Sequence, residues 1–171
     1  VQTLEAGGHR VDLQDLHAEG FDPVLGRAER VGYHDVPANR EPVSDEVHRL
    51  EAAEALVLVF PVWNYGYPAI LKGWFDRVFL PGVSFTIDAG RVRPALGNIR
   101  RLAVVTTYGG DRLRTWLAGD PPRRVAGRHL RWLVRRGAPY DYLALYDMNR
   151  ADAARRAAFL DRVGRSLEGF R

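Results

Sequence analysis

Cysteine is absent from the 171-residue chain, which excludes disulfides, thiolate metal sites and cysteine nucleophiles together. Lysine is nearly absent: Lys72 is the only one, so a net charge of +4 rests almost wholly on arginine. No apolar run approaches the roughly 20 residues of a membrane helix; the longest, Ala55 to Val62, suits a buried strand. No P-loop, no G-x-G-x-x-G and no G-x-S-x-G occurs, which leaves no Walker site, Rossmann fingerprint or serine elbow. The five histidines, His9, His17, His34, His48 and His129, share no ligand spacing, so no metal site is expected. No signal-peptide pattern stands at the start. A composition 46% hydrophobic and 27% charged is that of an ordinary soluble globular protein, here expected to be cytoplasmic. Residues 1–171 fit a single domain.

What is present is arginine, and it is uneven. Arg123, Arg124, Arg128, Arg131, Arg135 and Arg136 form one basic stretch without acidic residues. A solvated helix face, contacts to nucleotide phosphates, and a nucleic-acid surface all fit it. The first fits best, and no nucleic-acid partner is expected.

Strand-like and helix-like segments alternate, the pattern of a parallel sheet covered on both faces. Val1 to Ala6 reads as the tail of a helix stopped by Gly7-Gly8. His9 to Leu16 alternates polar and apolar and reads as a strand with Val11 and Leu13 inward. Ala18 to Pro42 is a long polar loop of the kind that is functional or carries helical turns. Ser44 caps a helix with Val47, Leu50 and Ala53 on one face. Ala55 to Phe60 is apolar throughout, a strand buried on both faces. A turn at Pro61–Gly66 leads into a helix from Pro68 to about Phe79, with Ile70, Leu71, Trp74, Phe75 and Val78 as its apolar stripe. Lys72 is expected to end in solvent, and Trp74 and Phe75 to sit in the core. Leu102 to Thr107 is a third strand, ending at Tyr108-Gly109-Gly110. Arg123 to Arg136 reads as a helix burying Val125, Leu130, Leu133 and Val134. Tyr140 to Tyr146 is a fourth strand, and a helix from about Arg150 to Phe170, capped by Asn149, closes the chain.

Four strands of this kind suggest a doubly wound α/β fold in the order 2-1-3-4-5. Such a fold opens on a strand, whereas this sequence opens on a fragment of helix. The expectation is that roughly 25 residues upstream of Val1, comprising the first strand (central in that order), a loop and the start of the helix, are absent from this sequence.

The segment Phe60 to Phe79, FPVWNYGYPAILKGWFDRVF, is the most informative. In open α/β sheets, ligands sit beyond the carboxyl ends of the strands. A turn there offers backbone N–H groups free of ladder partners. Trp63 and Tyr65 offer aromatic walls, and Asn64 both a donor and an acceptor. Those are the needs of a flat heterocycle such as an isoalloxazine. The other reading is a plain strand–turn–helix corner with incidental aromatics.

Pro61 to Phe79 closely resembles the NAD(P)H:quinone oxidoreductase (DT-diaphorase) family of flavodoxin-like proteins. Pro61 to Gly66 also resembles the FMN-dependent azoreductases. The likeness extends to Asp15–Ala18, Phe21–Pro23, Gly82–Ile87 and Thr106–Gly110, about two-thirds of the chain. The resemblance implies a flavodoxin-like doubly wound fold and an enzyme holding FMN or FAD. NADH or NADPH would reduce the flavin, and a quinone, azo compound or nitroaromatic would then take the two electrons in its place. It implies flavin contacts at Pro61, Val62, Trp63, Asn64 and Tyr65, and at Thr106, Thr107, Tyr108, Gly109 and Gly110. It implies substrate contacts at Gly66, Tyr67, Phe85 and Trp116, with Trp116 in place of a family tyrosine. It also implies a homodimer, as does the hydrophobic Phe79–Ile87 segment, read as exposed. Phosphate-binding residues and catalytic side chains are not assignable. The chain departs from the family at Ile87, where an aromatic is usual, and after Gly110, where no histidine occurs until His129. Those departures sustain an alternative, a flavodoxin-like ancillary subunit of a potassium-efflux system. A one-electron carrier fits less well, because such carriers are acidic and this chain is basic.

Overall fold

The computed structural model describes residues 1–170. Its centre is a parallel sheet of β1 (Ala55–Val62), β4 (Arg101–Tyr108) and β5 (Tyr140–Leu145), in the spatial order β1-β4-β5. Between β1 and β4 the chain forms an antiparallel hairpin, β2 (Phe85–Asp88) and β3 (Arg91–Pro94). The helices are α1 (Gln2–Ala6), α2 (Arg27–Val31), α3 (Ser44–Ala52), α4 (Ala69–Val78), α5 (Arg112–Leu117), α6 (Pro121–Arg124), α7 (Arg131–Leu133) and α8 (Ala153–Glu168). A π-helical stretch, Val125–Leu130, joins α6 to α7.

Strand alternation sorts the core into two layers. Leu58 and Phe60 of β1 and Leu102 and Val104 of β4 face one way, onto α3, α4 and the helical run from α6 to α7. Val57, Ala103, Val105 and Leu143 face the other, onto α8 and α1. β4 is covered on both faces, but β1 is not buried on both as expected: Leu58 and Phe60 are buried on one face while Val59 on the other is 73% exposed.

Three further expected features change. His9–Leu16 forms no strand, and Leu13 is 66% exposed rather than inward. In the order expected, this segment pairs with a strand lying between it and β1. None exists there among the described residues, so the segment has no ladder. Arg49 holds it instead, donating to both carboxylate oxygens of Asp12 (2.9 and 2.7 Å), to the Leu13 carbonyl (3.1 Å) and to Glu19 (2.8 Å). Second, the last helix starts at Ala153, not Arg150. Asp152 is its cap, accepting from the Arg155 N–H at 2.7 Å, while Asn149 lies in a short 3-10 turn, Met148–Arg150. Third, Phe79, Leu80, Val83 and Ser84 are buried, so only the hairpin end of the Phe79–Ile87 segment is exposed. Smaller shifts accompany these. Val43, not Ser44, occupies the cap position of α3, and Val125 is exposed while Ala126 takes the buried place.

Helix α4 is the element that organises the site side of the molecule. Gly73 costs about 1 kcal/mol of helix propensity against alanine. It is needed because the Pro23 backbone lies across it, and a Cβ would overlap the Pro23 carbonyl oxygen. Arg77, one turn on, locks the same loop: it donates to Glu29 at 2.8 Å and to the Asp22 carbonyl, and stacks over Phe21. Trp74 and Phe75 are buried in the core, and Lys72 is exposed and paired with Asp76.

Candidate active site

The parallel ladders set the site. Val62 pairs with Tyr108 across β1 and β4, and Thr107 pairs with Leu145 across β4 and β5. All three strands end at one level, so the chain segments that follow them meet at the carboxyl edge of the sheet.

After β1 the chain closes a two-residue turn. The Gly66 N–H donates to the Trp63 carbonyl at 2.8 Å, and the Trp63 N–H to the Gly66 carbonyl at 3.2 Å. Asn64 (φ +48°) and Tyr65 (φ +57°) both occupy the left-handed region, the geometry of a type I′ turn. Asparagine tolerates it; tyrosine there is strained by roughly 1 kcal/mol. The N–H groups of Trp63 and Gly66 are thus used by the turn itself, contrary to the expectation of a free loop. Those of Asn64 and Tyr65 have no acceptor among the described residues. Trp63 is 68% and Tyr65 40% exposed, so both rings stand at the surface above the strand ends.

After β4, the Tyr108-Gly109-Gly110 turn faces the first one. A Cβ at Gly110 would lie 3.6 Å from the Tyr65 hydroxyl, and one at Gly109 would lie 3.4 Å from the Asn149 side-chain nitrogen. The Asp147 N–H donates to the Gly110 carbonyl at 2.9 Å, tying the segment after β5 to the same turn. Asp111 then caps α5, accepting from the Arg114 N–H at 2.8 Å. Tyr65, Gly109, Gly110 and Asn149 therefore lie together at the carboxyl edge of the sheet, with Asn64 beside Tyr65 in the first turn.

Not every expected residue faces it. The Thr106 hydroxyl is fully buried and donates to the Phe60 carbonyl at 2.7 Å. Tyr108 is also buried, and its ring stacks on Tyr146 at 4.7 Å. Its hydroxyl donates to Asp120 and accepts from Tyr142, each at 2.6 Å. Arg123 completes the cluster, donating to Asp120 and to the Tyr146 hydroxyl (both 2.9 Å) and lying 4.1 Å over the Tyr142 ring. Burial pushes the Tyr108 and Tyr142 phenols well above their ordinary value, and for Tyr108 the Asp120 carboxylate adds to the effect. Tyr140, pushed up to about 12 by burial, lies behind them. Arg123 thus belongs to a built polar network, whereas Arg124, Arg128, Arg131, Arg135 and Arg136 are solvent-exposed.

Tyr67 and Phe85 lie on another side of α4. The Tyr67 hydroxyl donates to the Pro122 carbonyl at 2.9 Å, and its ring packs on Phe60 and Phe75. Tyr67 and Phe85 share a cleft of about 570 Å³ with Phe75 and Phe79. Trp116 lines neither feature; it projects from α5 at 70% exposure. Asp120, Tyr142, Tyr146 and Asn149 escaped sequence reasoning. The i, i+2 spacing of Tyr140 and Tyr142 was the available sign, since it puts both rings on one face of β5.

Residues 1–121 match the family model described as "Flavodoxin-like fold", and the chain belongs to that family. Its homologues are NAD(P)H quinone dehydrogenases. NAD(P)H dehydrogenase [quinone] 1 of Cavia porcellus is 31% identical over 65% of this chain and 46% of its own length. The chain spans about half the length of the curated relatives it matches. Among solved structures, an NAD(P)H:quinone oxidoreductase from Methanothermobacter marburgensis superposes with a TM-score of 0.83 and 23% identity, over 99% of this chain and 87% of that one. An FMN-dependent NADH-azoreductase from Bacillus anthracis, in complex with FMN, gives 0.60 and 16%, over 94% and 74%. At these identities the two structures establish the fold alone. Among the described residues no helix is long and apolar enough to cross a membrane.

Proposed function

We propose that the protein is a flavin-dependent NAD(P)H oxidoreductase that passes two electrons to quinones or similar small aromatic acceptors. The observation that carries this reading is the meeting of the Trp63–Gly66 turn with the Gly109–Gly110 turn across the ends of two paired strands. The residues there fit a flavin. Asn64 and Tyr65 present unbonded N–H groups and the Asn64 amide to the polar edge of a flat ring. The glycine pair keeps the opposite wall thin, and Trp63 and Tyr65 supply apolar surface. FMN or FAD bound there would accept a hydride from NADH or NADPH and deliver its two electrons to the acceptor. The chain's own part is to hold and orient. The strained turn fixes Asn64, and the Tyr108–Asp120–Arg123 network braces the glycine turn from beneath. The quinone dehydrogenase homologues support the choice of acceptor class, and the azoreductase neighbour supports FMN.

A visible spectrum, before and after anaerobic NADH or NADPH, tests the reading. Flavin bands that bleach within seconds and return when a quinone is added are expected. Bands that persist with both donors would point instead to a flavin-binding regulatory subunit, the function suited to a chain without a histidine beside the glycine turn. No bands after reconstitution with FMN and with FAD would refute the flavin site itself.

A further inference from the structure

Between the glycine turn and β5 the chain turns one sign of charge outward. Residues 112–136 hold eight arginines and a single acidic residue, Asp120. Asp120 is taken by Arg123 and Tyr108, and Arg114 pairs with Asp111 just before the stretch. The other six, Arg112, Arg124, Arg128, Arg131, Arg135 and Arg136, are exposed. Their guanidinium groups make no hydrogen bond or ion pair among the described residues.

The helical run from α6 to α7 explains why most of them share a side. Pro122, Ala126, Leu130 and Leu133 are buried. The wide π turn of Val125–Leu130 keeps that spacing of four in line along one face. Arg124 and Arg128 therefore fall on the opposite face, and Arg131, Trp132 and Arg135 continue it outward. Trp132 is 45% exposed and lies nearly parallel to the His129 ring, 6.4 Å away.

Apolar side chains are exposed beside this charge. On α5, Leu113, Trp116 and Leu117 are 66%, 70% and 69% exposed, and Thr115 is the one buried residue. The helix is nonetheless fixed, because Asp111 caps it and the Thr115 hydroxyl donates to the Asp111 carbonyl at 2.8 Å. The apolar and basic surfaces meet at the turn between α5 and α6. There the Arg124 guanidinium lies 3.8 Å from where a Gly119 Cβ would stand, two residues past Leu117.

Arginine alone suits any polyanion, and the leucines decide between them. Nucleic acid takes charge together with planar groups that stack on bases, and a leucine supplies neither. An anionic bilayer takes both kinds of side chain. Its headgroups attract the guanidinium groups, and tryptophan and leucine enter the boundary between headgroups and acyl chains.

We propose that α5 and the arginine face from Arg124 to Arg135 dock the protein on an anionic phospholipid surface, with Leu113, Trp116 and Leu117 entering the headgroup boundary. On the oxidoreductase reading, docking brings the glycine turn that precedes α5 to the layer where apolar quinones dissolve, and that clause rests on that reading.

The test is flotation of the whole protein with vesicles of phosphatidylcholine, alone or with about 30% phosphatidylglycerol. Binding to the anionic vesicles is expected to be at least about twentyfold tighter, and raising salt from about 0.1 to about 0.5 M should remove most of that preference. Arg128→Gln with Arg131→Gln should weaken binding roughly twentyfold, at roughly fivefold for each arginine. Arg156→Gln with Arg165→Gln removes the same charge from exposed positions on α8, across the sheet, and should change binding by less than about threefold. Trp116→Ser with Leu117→Ser should weaken vesicle binding about tenfold or more and leave binding to duplex DNA unchanged. No preference for the anionic vesicles would overturn the proposal, as would equal losses from the two arginine pairs. Duplex DNA bound more tightly than the anionic vesicles, with the Trp116 and Leu117 changes without effect on either, would make this face a nucleic-acid surface instead. Flotation involves no turnover, so the outcome is separable from the flavin reading. Vesicle binding without flavin bleaching would refute the oxidoreductase and leave the docking face. Bleaching without vesicle binding would do the reverse.

Discussion

Tyr108→Phe removes one oxygen from the centre of the Tyr108–Asp120–Tyr142 cluster and nothing else. The ring is fully buried and stacked on Tyr146, so packing is retained and the loss is confined to two hydrogen bonds of 2.6 Å. The bond donated to the Asp120 carboxylate is charge-assisted, a class that contributes about 1.5–3 kcal/mol. The Tyr142 hydroxyl, left without its acceptor, adds about 1 kcal/mol or more of desolvation cost unless a water reaches it. Asp120 keeps Arg123 at 2.9 Å, which offsets part of the damage. A net loss of about 2–3 kcal/mol follows, which for a chain of this size lowers Tm by about 5–10 °C. Thermal and denaturant unfolding would measure it, together with Asp120→Asn and the double variant. Because the two side chains touch, the cycle should return a coupling of about 1–2 kcal/mol. A Tm within a degree of the parent protein, or additivity to within about 0.3 kcal/mol, would refute the view that this cluster braces the glycine turn.

Gly73→Ala pits helix propensity, favourable by about 1 kcal/mol, against overlap with the Pro23 backbone. Overlap should win, giving a net loss of about 2 kcal/mol in denaturant unfolding; a stabilised variant would show that the loop does not lie on α4. Arg49→Gln should release the unladdered segment around Asp12–Glu19, seen as at least about tenfold faster amide exchange there and not in β4. The same variant carries a pH signature. Asp12 is held below the ordinary aspartate value, first by its hydrogen bond from Arg49 and against a smaller opposing burial effect. Its contribution is therefore present above that value and lost as pH falls through its folded-state value, so the variant's stability should vary less with acid than the parent's. At the alkaline end, the phenols of Tyr33, Tyr67, Tyr108, Tyr140 and Tyr142 are all raised above 10.0, chiefly by burial. A raised acid binds more protons folded than unfolded, so stability should be full below pH 10 and fall above it. Phenolate absorbance for most tyrosines should then appear with unfolding, and a gradual titration that precedes unfolding would contradict this.

The parts of the fold legible in the sequence are those fixed by local chemistry. Ala55–Phe60 is apolar at every position, which marks it as a strand of the sheet, although only Leu58 and Phe60 are buried and Val59 is exposed on the other face. Pro68 and the stripe Leu71, Trp74, Phe75 and Val78 set both the start and the buried side of α4. The losses came where a choice depends on distant chain. His9–Leu16 has strand alternation, but a strand exists only with a neighbour to ladder with, and alternation carries no information about that neighbour. At the last helix, Asn149 and Asp152 are both competent caps. The left-handed Asp147 and the short turn after it decide for the second.

The site divides in the same way. The two turns could be paired from sequence because each follows a predicted strand, and a parallel sheet brings the ends of neighbouring strands to one edge. The register Val62↔Tyr108 is what makes that pairing physical: a shift of two residues would carry Tyr65 about 7 Å along the strand direction, out of reach of Gly110. The direction of each side chain could not be read with it. Thr106 and Tyr108 belong to the expected motif, yet both lie on the inward face of β4, as their parity with Leu102 and Val104 dictates once the strand's buried face is known. What that motif offers to the sheet's edge is thus its backbone and its glycines. The cleft shared by Tyr67 and Phe85, by contrast, is assembled from three segments far apart in sequence, residues 25–34, 67–85 and 125–130. Short motifs are legible in the sequence because each is built by one local turn; the cleft is not, because only the folded chain brings its segments together.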